Sequence, residues 1–231
     1  MLFRSAARYS AVATLFNALP VPAPASAATS SLPAQLRLSV LLKLVAYAAA
    51  NDDLAVVRPA LARFEQWLAE WGYGPGTAGE EEGNAAVLKV VTALAATGQQ
   101  AEARALLLSH LAQPSAVAGS ALSPSSSAAA LATQVIVLSL ALADVFDVSA
   151  LSTLPSVSSP SVPALKQLLD IFQSGDVQKF DQFAAANAAV LAEHSLDRAA
   201  LERKLKLLAL AELCSTDRKS TRLNSSHPGY L

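Results

Sequence analysis

Cysteine is nearly absent from this sequence, since Cys214 is the single one among 231 residues. One thiol cannot form an intrachain disulfide, and it cannot build a metal site that needs several cysteines. Aromatic residues make up 6% of the chain and charged residues 15%. The formal net charge of −1 gives no general electrostatic attraction to nucleic acid or to acidic membranes. Any binding of such partners must therefore come from a local surface.

What the chain does contain is apolar, helix-forming sequence. Hydrophobic residues make up 53% of it, and alanine supplies much of that fraction. This composition supports a buried core and argues against disorder. Alanine and leucine favour helices over strands, and no segment sustains strand-like alternation. The sequence therefore predicts an all-α protein.

Two segments raise the question of a membrane or an organelle. The N-terminus carries Arg4 and Arg8 with no acidic residue before Asp52, as mitochondrial transit peptides do. Its apolar spacing favours an ordinary amphipathic helix instead. Ala128–Val145 is the most apolar run, but it contains Gln134 and is short for a membrane span. We interpret this run as a helix buried on most sides and expect no membrane partner.

Helix, tight turn and helix recur along the chain, which is typical of stacked helical hairpins. Gly98 and Gly175 suit the left-handed position at which many helices end. The region 72–83 is rich in glycine and is predicted to be a loop. Pro59 marks either a kink in the second predicted helix or a start of that helix later than Leu54. The predicted helices are Leu36–Ala50, a helix from Leu54 or later to about Trp71, Ala85–Ala96, Glu102–Leu111, Ala128–Val145, Ala164–Phe172, Val177–Ala186, a short piece near Val190–His194, and Asp197–Cys214.

The stretch DIFQSGDVQKFDQF, residues 170–183, shows how such a hairpin is encoded. Gly175 is predicted to end one helix, and Asp176 to cap the next with its side chain. Phe172, Phe180 and Phe183 then fall on the sides that face each other. The sequence predicts that these rings hold the two helices together.

No catalytic, cofactor or metal site is predicted. Gly74–Gly79 matches the G-x-G-x-x-G pattern, but a helix precedes it and Glu80–Glu82 would repel phosphate. A flexible loop is therefore the favoured interpretation. The three histidines, among them His110, lie outside metal-ligand spacing and are expected at helix ends or on the surface. No small-molecule ligand is expected.

The last predicted helix is amphipathic and charged. Its apolar residues form a predicted core stripe of Leu201, Leu205 and Leu208. Its cations form a possible basic surface of Arg198, Arg203, Lys204 and Lys206. A solvated helix face is favoured over a nucleic-acid interface, because aromatic side chains do not interleave with the cations. Leu207, Leu210 and Leu213 lie off the core stripe and are expected to be exposed.

The run LLDIFQSGDVQKFDQFAAANAAVLAEHSLDRAALERKLKLLALAEL resembles the helical half of a PCI domain. This module occurs in the proteasome lid, the COP9 signalosome and eukaryotic translation initiation factor 3. The upstream segments AVATLFNALP, VLLKLVAYAAANDDLAVVRPALARFEQWLAEWG and ALADVFDVSALSTLP resemble the subunit M family of that initiation factor, in the order found there. The similarity covers about Ala11 to Leu213.

The resemblance implies a right-handed stack of helical hairpins, similar to TPR or HEAT repeats, that leads into the helical part of a PCI domain. We expect an N-terminal helix and linker over 1–32, helical repeats over 33–160 and the PCI helices over 161–214. A winged helix would normally follow. Residues 215–231 lack its apolar pattern and are expected to be a non-native tail, which makes the chain a fragment without the winged helix.

The implied function is that of a non-catalytic, cytoplasmic scaffold in translation initiation. Its implied partners are the other subunits of initiation factor 3 and, indirectly, the small ribosomal subunit and mRNA. Two alternatives stay open. One is a scaffold similar to COP9 signalosome subunit 7, and the other is an organellar helical-repeat protein that binds RNA.

Overall fold

The computed structural model describes residues 2–19, 32–113, 126–154, 157 and 163–224. These residues form helices joined by turns, and no strand occurs among them. The all-α fold class is therefore confirmed, whereas the handedness of the stack stays a prediction. The helices are α1 (Leu2–Ala18), α2 (Leu32–Ala50), α3 (Arg58–Leu61), α4 (Phe64–Glu70), α5 (Glu80–Ala96), α6 (Gln100–Leu111), α7 (Ser126–Ala141), α8 (Ser149–Ser152), α9 (Pro163–Ser174), α10 (Val177–Ala186), α11 (Ala188–Glu193) and α12 (Arg198–Asn224).

Contacts divide the chain into two compact units, Met1–Val135 and Ile136–Leu231. The boundary falls inside α7, before the Ser/Pro-rich stretch at which we expected the repeats to give way to the PCI helices. In the first unit, α1 packs on α2, α2 on α5, and α5 on α6. In the second unit, α10 packs against α9, α11 and α12. The assignment of repeat and PCI domains stays a prediction.

Helix α2 begins at Leu32, earlier than the predicted start at Leu36. Pro33 lies in its first turn, where the N–H that proline lacks would have no intrahelical partner. By length and composition alone, α2 could cross a membrane, a test that core helices of soluble proteins also pass. Its buried face includes Leu38, Leu41 and Val45, as expected of a helix packed between α1 and α5.

Of the two alternatives for Pro59, a helix start later than Leu54 is confirmed, whereas one continuous helix that runs to about Trp71 is wrong. A 3-10 turn at Leu54–Val56 is followed by the short helices α3 and α4. Pro59 lies in the first turn of α3, so it begins a helix there. The chain breaks again before Phe64, which is fully buried together with Leu68 on the same helix face.

The prediction of a loop over 72–83 is also wrong at its end, because α5 begins at Glu80. Three glutamates occupy its first turn, where carboxylates are stabilised by the partial positive charge of the helix N-terminus. Gly83 lies inside this helix, and Tyr73 passes very close to it. A Cβ at position 83 would lie 2.0 Å from the carbonyl oxygen of Tyr73. Glycine here permits close packing inside a helix.

Helix α12 extends to Asn224, beyond the predicted end at Cys214. Its start is capped by Asp197, whose carboxylate accepts hydrogen bonds from the N–H groups of Ala199 at 3.1 Å and Ala200 at 3.2 Å. Residues 215–224 contain neither glycine nor proline, so no helix-breaking residue ends α12 earlier. Whether residues 215–231 are native stays a prediction.

A candidate interaction surface on the C-terminal helices

The turn between α9 and α10 has the predicted geometry. Gly175 has a φ of 65°, in the left-handed region. The Asp176 carboxylate accepts hydrogen bonds from the N–H groups of Gln178 at 3.0 Å and Lys179 at 3.1 Å. These bonds satisfy two of the amides that a helix start leaves free. The backbone N–H of Lys179, followed by its ammonium group, holds the pKa of Asp176 below its ordinary value.

Aromatic side chains join the two helices behind this turn. The rings of Phe172 and Phe180 meet edge to face, with centroids 6.2 Å apart and planes at 87°. Phe180 is completely buried. Phe183 is also buried, and with Ile171 it lines a groove formed by residues of both α9 and α10. The sequence prediction for the Phe172–Phe180 contact is confirmed.

On the inner face of α12, Lys204 is buried, although it was predicted to be exposed. Leu201 and Leu205 are buried as expected, and Leu208 is half-buried. Lys204 was expected on an exposed basic surface, but only 5% of its surface is exposed. A helix repeats every 3.6 residues, which places position 204 between Leu201 and Leu208 on the buried side. That spacing was the signal in the sequence that could have located Lys204.

The buried ammonium group of Lys204 is held by the end of another helix. Its Nζ donates to the carbonyl oxygens of Ser139 at 2.8 Å, Leu140 at 3.2 Å and Leu142 at 2.7 Å. The last carbonyls of α7 have no intrahelical partner, and a cation is favoured at the negative end of a helix. Lys204 therefore fastens α12 to the C-terminus of α7.

Two of the remaining cations on α12 face acidic groups of the same unit. Arg198 forms an ion pair with Asp181 at 3.3 Å, and Lys206 forms one with Glu202 four residues earlier. The hydrogen bond from Lys206 lowers the pKa of Glu202, and the same bond raises the pKa of Lys206. Arg203 is exposed. The four cations therefore do not form the shared basic surface that the sequence allowed.

The outer face of α12 carries exposed leucines, as predicted. Leu207, Leu210 and Leu213 are 50%, 57% and 69% exposed. Their spacing of three residues places them along one side of the helix, and we call them the leucine stripe. Contiguous exposed apolar surface on a folded protein commonly marks a protein–protein contact. The leucine stripe is therefore the candidate interaction surface.

The first unit contains the glycine pattern at Gly74–Gly79 and the histidine His110. Within the G-x-G-x-x-G pattern, the N–H of Gly76 donates to Glu80 Oε2 at 2.8 Å. This amide is therefore already hydrogen-bonded to a carboxylate of the same chain.

His110 lies in the last turn of α6, as one of its two predicted positions requires. It is buried, so the prediction of a surface position is wrong. Its Nε2 lies 2.9 Å from Asn84 Oδ1, and burial lowers its pKa. Within the described ranges, His, Cys, Asp and Glu form no cluster that could hold a metal ion.

Comparison with known proteins gives two distant relatives with the same description. The chain is 29% identical to eukaryotic translation initiation factor 3 subunit M of Phaeosphaeria nodorum over 191 residues, which are 81% of this chain and 41% of the relative. It is 25% identical to the subunit M protein of Chaetomium globosum over 182 residues, 78% of this chain and 41% of the relative. The chain thus spans well under half the length of either relative. No family model matches it, and no solved structure matches it significantly.

Proposed function

We propose that this chain is part of a non-catalytic scaffold subunit of translation initiation factor 3, acting in the cytoplasm through protein–protein contacts. The observation that carries this proposal is the similarity to two subunit M proteins, which extends over about four fifths of the chain. Similarity of this extent points to a shared architecture. A short shared motif would not have this extent.

The structure supports a role in assembly through the leucine stripe on α12. The inner face of this helix is occupied by its own unit, through Leu201, Leu205 and the buried Lys204. The leucine stripe on its outer side remains exposed. We propose that the winged helix implied by the PCI resemblance packs on the leucine stripe, and that both together contact neighbouring subunits.

The proposed partners are the other subunits of the initiation factor, with the small ribosomal subunit and mRNA reached indirectly. Direct binding of RNA by α12 loses support from the structure. Lys204 is buried against carbonyl groups, and Arg198 and Lys206 already face carboxylates. Nucleic-acid affinity depends on cations that can neutralise phosphates.

Affinity purification tests this proposal. One tagged protein is the chain as given. The other is a chimera in which the residues after Leu213 are replaced by the corresponding segment of the Phaeosphaeria nodorum relative. Both are expressed in eukaryotic cells, and co-purifying proteins are identified by mass spectrometry. We expect the chimera to recover subunits of initiation factor 3 and the chain as given to recover far less.

Two variants of the chimera test the surface. Leu210→Asp places a charge in the leucine stripe and should reduce recovery of the initiation factor subunits strongly. Leu36→Asp is the matched control, because Leu36 is 53% exposed but lies on α2. It should leave recovery unchanged, and circular dichroism checks that both variants are folded. Recovery of signalosome subunits would transfer the assignment to that complex, and recovery of neither complex would overturn the scaffold proposal.

A further inference from the structure

We draw no further inference here: the strongest candidate beyond the surface already described, the cluster of Phe16, Trp67 and Trp71 in the first unit, carries nothing because its rings pack against one another and nothing in the structure shows what would cover its exposed part.

Discussion

Two helical hairpins, α5–α6 in the first unit and α9–α10 in the second, turn in the same way. Gly98 has a φ of 79° and Gly175 a φ of 65°, so a left-handed glycine ends the first helix of each pair. The next helix starts differently. Asp176 caps α10 with its side chain, whereas Gln99 forms no side-chain cap at α6. The glycine therefore makes the turn, and the cap is an additional stabilisation.

The two hairpins also differ in what lies between their helices. The α5–α6 core is built from small and aliphatic side chains such as Ala86, Val90 and Leu107, and it includes the buried hydrogen-bonded pair of Asn84 and His110. The α9–α10 core contains the edge-to-face pair of Phe172 and Phe180. Small side chains let helices approach closely, and rings bury more area per residue. The same backbone turn therefore serves two different kinds of core.

The largest expected effect tests the aromatic core. Phe180→Ala removes a completely buried ring and should lower the free energy of unfolding by about 3–5 kcal/mol. Leu107→Ala in the other hairpin should cost about 2–5 kcal/mol, since Leu107 is equally buried. Urea denaturation followed by circular dichroism measures both values. A cost below about 1 kcal/mol for Phe180→Ala would show that the ring does not hold α9 and α10 together.

A smaller loss is expected from Lys204→Met, which tests how α12 is fastened to the second unit. The variant keeps a long apolar side chain but removes the ammonium donor from the carbonyl oxygens of Ser139 and Leu140 in α7 and of Leu142 just beyond it. Unsatisfied buried polar groups should cost about 1–3 kcal/mol. Lys206→Met is the control, because Lys206 is exposed and its loss should leave the urea midpoint nearly unchanged. Equal midpoints for the two variants would contradict the fastening role of Lys204.

Substitution of the two turn glycines tests whether the hairpins share one backbone solution. Gly98→Ala and Gly175→Ala should each cost about 1–2 kcal/mol, because both residues have positive φ. A Cβ at position 98 would meet nothing within 4 Å, so conformational strain alone acts there. Asparagine tolerates this conformation better, so the Asn variants should unfold at midpoints closer to that of the parent protein. Alanine variants as stable as the parent would contradict the strain argument.

A further comparison concerns the caps. Asp176→Ala removes the acceptor for two backbone amides at the start of α10 and should lower the Tm by about 2–4 °C. Gln99→Ala should leave Tm unchanged, since Gln99 makes no such bond. Thermal melts followed by circular dichroism compare the two variants. A similar fall in both would mean that the side-chain cap does not distinguish the hairpins.

The smallest expected effect is a dependence of the stability on pH, which should act through His110 in one hairpin and through Asp176 in the other, in different ranges of pH. Burial lowers the pKa of His110, so the unfolded chain takes up a proton at higher pH than the folded one. The His110 contribution is therefore full above about pH 6.5 and declines as the pH falls below it.

Asp176 acts in a lower range of pH. Its pKa is lowered in the fold, so its contribution to stability is present above about pH 4 and is lost on further acidification.

The range between pH 5 and 8 therefore tests His110 alone of these two groups. The urea midpoint of the parent protein should shift across this range, and that of His110→Gln should shift much less. An identical shift in that variant would assign the dependence to other groups.

The sequence by itself determined the all-α class, the turn at Gly175 and Asp176, and the exposure of the leucine stripe. Each of these depends on residues a few positions apart, such as the amides two and three residues after Asp176. Helical periodicity also separates the buried Leu205 from the exposed Leu207. Local hydrogen bonds and periodic burial can be inferred without knowing what else the chain brings close.

The tertiary structure alone decided that Tyr73 approaches Gly83 and which carbonyl oxygens bind Lys204. The sequence predicts Gly83 in a loop, and the contact with Tyr73 that requires a glycine there exists only in the folded chain. Helical spacing can indicate that Lys204 is buried, but it cannot identify its carbonyl partners, which lie 62 to 65 residues away in the sequence. A buried ammonium group is stable only where acceptors replace the water it loses, and which acceptors meet it depends on how α7 and α12 pack.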